Sequence, residues 1–202
     1  MFAMVDAIGV KAALLNGSFT HDRLVELQSK IDEIAARNPD IAFVSFADSV
    51  FLKMNWTVGI WDSEIKYSYN PEKILRPLIE INDAYMSALS METYAILTQG
   101  SNEFYTENLL HISAAQNHIS LNSLGLPFAQ IFAIDAAARS AIRAKHHSPS
   151  QIYMDQNFFR SLRFKYSFKK DTVSRANYIA PLAADTQKYL MMNRDDLLDN
   201  LA

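Results

Sequence analysis

The chain has 202 residues, half of them hydrophobic and a fifth charged, with a net charge of -3, which suits one globular domain with additions and a sizeable core. It has no cysteine, which excludes disulfides, zinc–thiolate sites and cysteine nucleophiles. The acidic balance speaks against a non-specific nucleic-acid binder, and the lack of a bilayer-length apolar run or a signal-peptide pattern makes a cytoplasmic protein with no membrane partner the expectation.

Phe2 to Val5 is a short apolar run ending at Asp6 and soon followed by Gly9, the pattern of a buried strand entering a turn. From Thr20 to Arg37, Leu24, Leu27, Ile31 and Ile34 recur at helical spacing, with Thr20 as N-cap and Asn38-Pro39 as the stop. Ile41 to Phe46 and Val50 to Met54 read as two strands joined by a tight hairpin at Ala47-Asp48-Ser49. Trp56 to Asn70 is aromatic and irregular, an insertion. Pro71 opens a helix with Ile74, Leu78, Ile81 and Tyr85 on one face, and Thr93 to Thr98 is a strand ended by Gly100. Ser101 to Gly125 is a polar excursion, after which Pro127 starts a long helix to about Arg143. Gln151 to Met154 is a short strand and Asp155 to Leu162 a short helix. The basic–aromatic run Arg160 to Lys170 suggests an edge strand, and the remainder a peripheral tail. The order predicts an α/β domain of the α+β kind, on the ferredoxin-like βαββαβ plan shared by palm-type domains. Residues 1–165 form it, and 166–202 are a C-terminal extension packing on the same domain.

In that plan the first strand and the hairpin pair centrally, so Asp6 at a strand end can face Asp48 at the hairpin tip. Two neighbouring carboxylates repel unless a cation lies between them, and Mg²⁺ or Mn²⁺ with substrate phosphates meets that need. Two ions can divide the work, one activating an attacking oxygen and one holding the leaving group. Aspartates near strand ends are also common turn residues, so spacing alone leaves both uses open. Other candidates lack partners. His146-His147, His111 and His118 have no matching ligand set. Ser45 and Ser49 flank Asp48 without a nucleophile elbow, and there is no P-loop or dinucleotide glycine motif.

Phe2-Ala3-Met4-Val5-Asp6-Ala7-Ile8-Gly9-Val10 resembles the first strand of class III nucleotidyl cyclases, and Val44-Ser45-Phe46-Ala47-Asp48-Ser49-Val50 their metal-binding hairpin. Ile134-Asp135-Ala136-Ala137-Ala138-Arg139 resembles the helix that carries an asparagine and, four residues later, a catalytic arginine. The three elements follow the family order over roughly residues 1–165. The resemblance implies Asp6 and Asp48 as ligands of two Mg²⁺ or Mn²⁺ ions, with the Ala7 carbonyl as a further ligand. It implies backbone amides around Ile8, Gly9 and Val10 cradling the triphosphate, and Arg139 steadying the phosphoryl charge. It also implies a homodimer with shared active sites, the aspartates from one subunit and the arginine from the other.

Two departures stand out. Asp135 occupies the asparagine position, and the purine-reading positions hold Val44 and Ala129-Gln130-Ile131. Metal aspartates without purine readers resemble the divergent Pycsar cyclases of antiphage defence, which implies a pyrimidine nucleoside triphosphate as substrate, UTP ahead of CTP. The residues keep other readings open. Asp135 and Arg139 have the spacing of an ordinary helical ion pair, and Gly9 suits a positive-φ turn. The rival functions are an inactive cyclase-homology domain that binds a nucleotide or protein partner, and a palm-type phosphotransferase with another product.

Overall fold

β1 (Phe2–Ala7) is buried along its whole length, as a strand is when the sheet is covered on both faces. The computed structural model describes residues 1–54, 57–61, 64–68, 71–100, 110–115, 119–121, 125–145, 151–165, 173–176, 189–195 and 197. β1 lies inside a seven-stranded sheet, between β3 (Ser49–Met54) and β6 (Thr93–Thr98), and pairs antiparallel with both. β2 (Ile41–Phe46) pairs with β3 at one edge. The order β6-β1-β3-β2 is that of a ferredoxin-like sheet built from β1, α2 (His21–Arg37), β2, β3, α3 (Glu72–Leu89) and β6, so the expected plan is the observed one.

Period-two alternation separates two cores. Ala3, Val5 and Ala7 face α2 and α3, joining Leu27, Ile31, Ile34, Ile74, Leu78, Ile81 and Tyr85. Phe2 and Met4 face α4 (Leu126–Arg143), joining Tyr94, Ile96, Ile131, Ile134 and Ala138. Each large side chain buried in this way contributes roughly 1.5–3 kcal/mol. Asp6 follows Met4 by two residues and so lies on the α4 face.

The helix boundaries follow local chemistry. Thr20 caps α2 by accepting from the Arg23 N–H. Gly9, at φ +92°, turns the chain from β1 into the short α1 (Val10–Leu15); this helix is not apparent in the sequence pattern. A side chain at Gly9 would meet nothing within 4 Å, so the backbone angle, not space, favours glycine there. α4 is seated against β6 by Thr98, whose hydroxyl donates to the Pro127 carbonyl at 2.8 Å. Gly100 is needed for the same approach, since a Cβ would sit 2.6 Å from the Pro127 ring.

Several expectations change outside the core plan. The insertion after β3 contains a two-stranded ribbon, β4 (Thr57–Trp61) with β5 (Glu64–Ser68), and the polar excursion contains another, β7 (Leu110–Ile112) with β8 (Ile119–Leu121). β9 (Gln151–Met154) pairs parallel with β6, the crossover between them being α4. α5 (Gln156–Lys165) continues three residues beyond Leu162. Arg160 to Lys165 is therefore helical and not an edge strand: Phe158, Phe159 and Leu162 face the α2/α3 core at helical spacing. Residues 166–170 lie outside the described set. The segment taken as a peripheral tail supplies β10 (Val173–Ala176) and β11 (Tyr189–Asn193), which widen the sheet beyond β9.

Candidate active site

Strand register assembles the site. Asp6 has Ser49 as its cross-strand partner on β3 and Tyr94 on β6, so the three side chains form a row across the sheet on the α4 face. Asp6 is 1% exposed. Its Oδ1 accepts from the Ser49 hydroxyl. Its Oδ2 accepts from the Tyr94 hydroxyl at 3.0 Å and pairs with Nη2 of Arg139 at 3.0 Å. Burial pushes the Asp6 pKa up; the Ser49 bond, the Arg139 charge and the Tyr94 bond oppose this, and the nearby charge of Asp48 adds to it.

Asp135 and Arg139 are one turn apart on α4 and both reach this row. Arg139 donates from Nε to both Asp135 oxygens at 3.0 Å. The same Tyr94 hydroxyl also faces Asp135, so one phenol with a single proton to donate is shared between two carboxylates, and burial followed by their charge holds its pKa well above normal. Burial works against the charge of Arg139, but the Asp135 bond and the surrounding negative charge outweigh it and raise its pKa. The helical ion pair suggested by spacing is present, and it is also joined to Asp6.

Asp48 occupies the second place of a two-residue turn, between the paired Phe46 and Ser49. Ala47 before it takes φ +53°, a left-handed conformation that costs an alanine roughly 1 kcal/mol. Below the turn, the buried Tyr85 donates its hydroxyl to the Asp48 carbonyl at 3.0 Å. The hairpin tip is thus tied down through its main chain, and the Asp48 carboxylate makes no bond among the described residues.

An open cleft of about 490 Å³ is lined by Asp6, Ala7, Ile8, Gly9, Tyr94, Arg139, Ile142 and Arg143. It gathers Asp6, Arg139 and much of the glycine turn. The N–H of Ile8 is already given to the Glu92 carbonyl at 2.9 Å, which removes it as a phosphate donor; the amides of Gly9 and Val10 make no such bond among the described residues. The Val10 side chain packs against the α2/α3 core. His118, His146 and His147 lie outside the described residues, and among the described residues no group of three or more His, Asp or Glu is placed to hold a metal. Sequence reasoning missed Ser49, Tyr94, Tyr85 and Arg143. Arg143 was within reach, being four residues beyond Arg139; Tyr94 and Tyr85 needed the strand register and helix packing.

Neither a protein-family model nor a curated protein sequence matches the chain. Solved structures do. The adenylyl cyclase CyaB from P. aeruginosa superposes with a TM-score of 0.55 at 12% identity, over 95% of this chain and 91% of that one. The guanylyl cyclase domain of the RhoGC fusion protein from the aquatic fungus Blastocladiella emersonii gives 0.50 at 10% identity, over 95% and 93%. The chain has a cyclase fold. At these identities the likeness speaks to architecture, and it extends along nearly the whole of this chain. The row of Ser49, Asp6 and Tyr94 lies at the end of β1, beneath the helix that carries Arg139.

Proposed function

We propose that the protein is a nucleotidyl cyclase, converting a nucleoside triphosphate to a 3′,5′-cyclic nucleotide and pyrophosphate. The observation that carries the reading is the buried Asp6 at the edge of an open cleft, charge-paired to Arg139 of α4. A buried carboxylate is costly unless a positive partner faces it, and here a guanidinium stands in that place. The donor set suits a hard divalent cation: the carboxylates of Asp6 and Asp48, with the Ala7 carbonyl beside them. Those residues would hold two Mg²⁺ or Mn²⁺ ions, which lower the barrier to attack and neutralise the departing pyrophosphate.

The chain's own groups do the positioning. Gly9 and Val10 offer main-chain N–H groups to phosphate oxygens, and Arg143, which also lines the cleft, adds a cation. Arg139 steadies charge as the ribose 3′-oxygen bonds to the α-phosphorus and the bond to pyrophosphate breaks, the hydroxyl proton leaving to water. Val44, which stands at the purine-reading position, is half-buried beside Phe51 on β3 and offers no polar group to a base. We therefore favour a pyrimidine substrate, UTP before CTP, whose product would serve as a second messenger in antiphage defence. The cyclase resemblance further suggests a cytoplasmic homodimer, but not the sharing of aspartates and arginine between subunits, since Arg139 here pairs with Asp6 of its own chain.

The purified protein, incubated with each of the four triphosphates and Mn²⁺, is expected to release one cyclic mononucleotide, resolved by chromatography and mass. Asp48→Ala should lower that product by at least about a hundredfold. A linear or oligomeric product would redirect the assignment to another phosphotransferase. The second reading, a domain that binds a nucleotide without turnover, is favoured by one observation: Asp135 replaces a neutral amide and ties Arg139 within its own chain. Nucleotide binding without product would establish it.

A further inference from the structure

The Arg139 side chain has two anchors. One is Asp135, reached by Nε through both carboxylate oxygens at 3.0 Å, and the other is Oδ2 of Asp6, reached by Nη2 at 3.0 Å. Tyr94 braces both anchors, because its hydroxyl contacts Asp6 and Asp135 together. Three donors face the Asp6 carboxylate, Ser49 on Oδ1 and Tyr94 and Arg139 on Oδ2, and of these three Arg139 alone brings a positive charge. Asp6 is 1% exposed, whereas the Arg139 side chain is 44% exposed. Of the groups on Asp6, Arg139 therefore has room to leave toward solvent, while Ser49 and Tyr94 are fixed on neighbouring strands.

We propose that Asp135 is a positioning residue that seats Arg139 on Asp6, making Arg139 the resident counter-ion which a divalent cation must exchange to enter the site. This gives Asp135 a role that an asparagine could not fill as well, since a neutral amide lacks the charge and the paired acceptor oxygens that fit a guanidinium edge. It also connects the two halves of the site. A cation arriving at Asp6 releases Arg139, and the freed guanidinium becomes available to phosphate in the same event. The inference rests on Asp6 being a metal aspartate, so binding and turnover are scored separately.

The test is Mn²⁺ binding to the full chain without nucleotide, followed by the electron paramagnetic resonance signal of free Mn²⁺. Arg139→Gln should tighten binding about tenfold, a change equivalent to about 1.4 kcal/mol. Asp135→Asn, which keeps the shape but loses the charge that seats the arginine, should tighten it a few-fold. Adding Asp6→Asn to Arg139→Gln should abolish the gain, locating it at Asp6. Unchanged or weaker Mn²⁺ binding in Arg139→Gln overturns the proposal, as does failure of both wild type and variant to bind Mn²⁺. Cyclisation by the wild type together with unchanged affinity in Arg139→Gln would leave the cyclase and remove the exchange. Tightened binding without any cyclisation would do the reverse.

Discussion

Asp6 and Asp155 are both buried aspartates, placed at opposite ends of the strands beside them, and in both burial is the main reason the pKa is raised. Their partners differ. Asp155 accepts from the main-chain N–H of Gln99 at 3.1 Å and of Phe158 at 2.7 Å, where it caps α5. Among the described residues Asp6 accepts from side chains alone, those of Ser49, Tyr94 and Arg139. A main-chain donor cannot leave without moving a strand or helix, while a side-chain donor can rotate away. The first aspartate is fixed in its bonds and the second is able to trade one of them, which is what a ligand site requires.

The largest expected effect separates them by stability. Asp155→Ala removes a helix cap and a second main-chain bond, leaving buried N–H groups without acceptors, and should cost about 2–3 kcal/mol. It would appear as a lower urea midpoint with an unchanged slope. Asp6→Ala in metal-free buffer should cost clearly less, because Tyr94 and Arg139 keep Asp135 as a partner. Equal losses in the two variants would break the distinction between fixed and tradable partners.

The parts of the site were unequally legible. Asp6 stands out in sequence because an apolar run stops on it just before a glycine, and Asp48 because it sits between two strand-like runs. The βαββαβ order followed from periodicity, since every strand of that core has its own alternation or apolar run. Tyr94 was hidden: within Thr93 to Thr98 all six residues are buried, so no polar–apolar contrast marks the side chain that, like Arg139, touches both Asp6 and Asp135. Only the register, which places Tyr94 directly opposite Asp6, brings it into the site. The C-terminal strands were hidden for another reason. Val173–Ala176 and Tyr189–Asn193 are short and gain their pairing from each other and, for the second, from β9, which local pattern cannot reveal.

Asp48 is an intermediate case. Its main chain is fixed by Tyr85 and its carboxylate is left open. Burial, with the charges of Asp48 and Asp6, keeps the Tyr85 phenol well above its ordinary pKa, so it acts as a neutral donor. Tyr85→Phe should cost about 1 kcal/mol of stability through the lost bond to the Asp48 carbonyl. If Tyr85 fixes the hairpin tip for a metal, the variant should also raise the Mn²⁺ concentration needed for half-maximal turnover more than it lowers the maximal rate. A fall in stability with no change in the Mn²⁺ requirement would reduce Tyr85 to a core residue.

The smallest effect carries a sign that tests the comparison directly. Asp6 has a raised pKa in the folded chain, so the folded state binds its proton more tightly than the unfolded state does. The stability this contributes is fully present below the ordinary carboxylate value of about 3.9 and is lost as pH rises through the folded pKa. An amide in place of the carboxyl group does not titrate. Asp6→Asn should therefore gain little near pH 3.5 and become more stable than the wild type at pH 7.5 in chelator, seen as a higher Tm. Such a gain would show that the buried charge costs stability which a cation at Asp6 could recover. A loss at pH 7.5 would mean that Arg139 and Tyr94 already compensate the carboxylate fully, leaving Asp6 as settled in its bonds as Asp155.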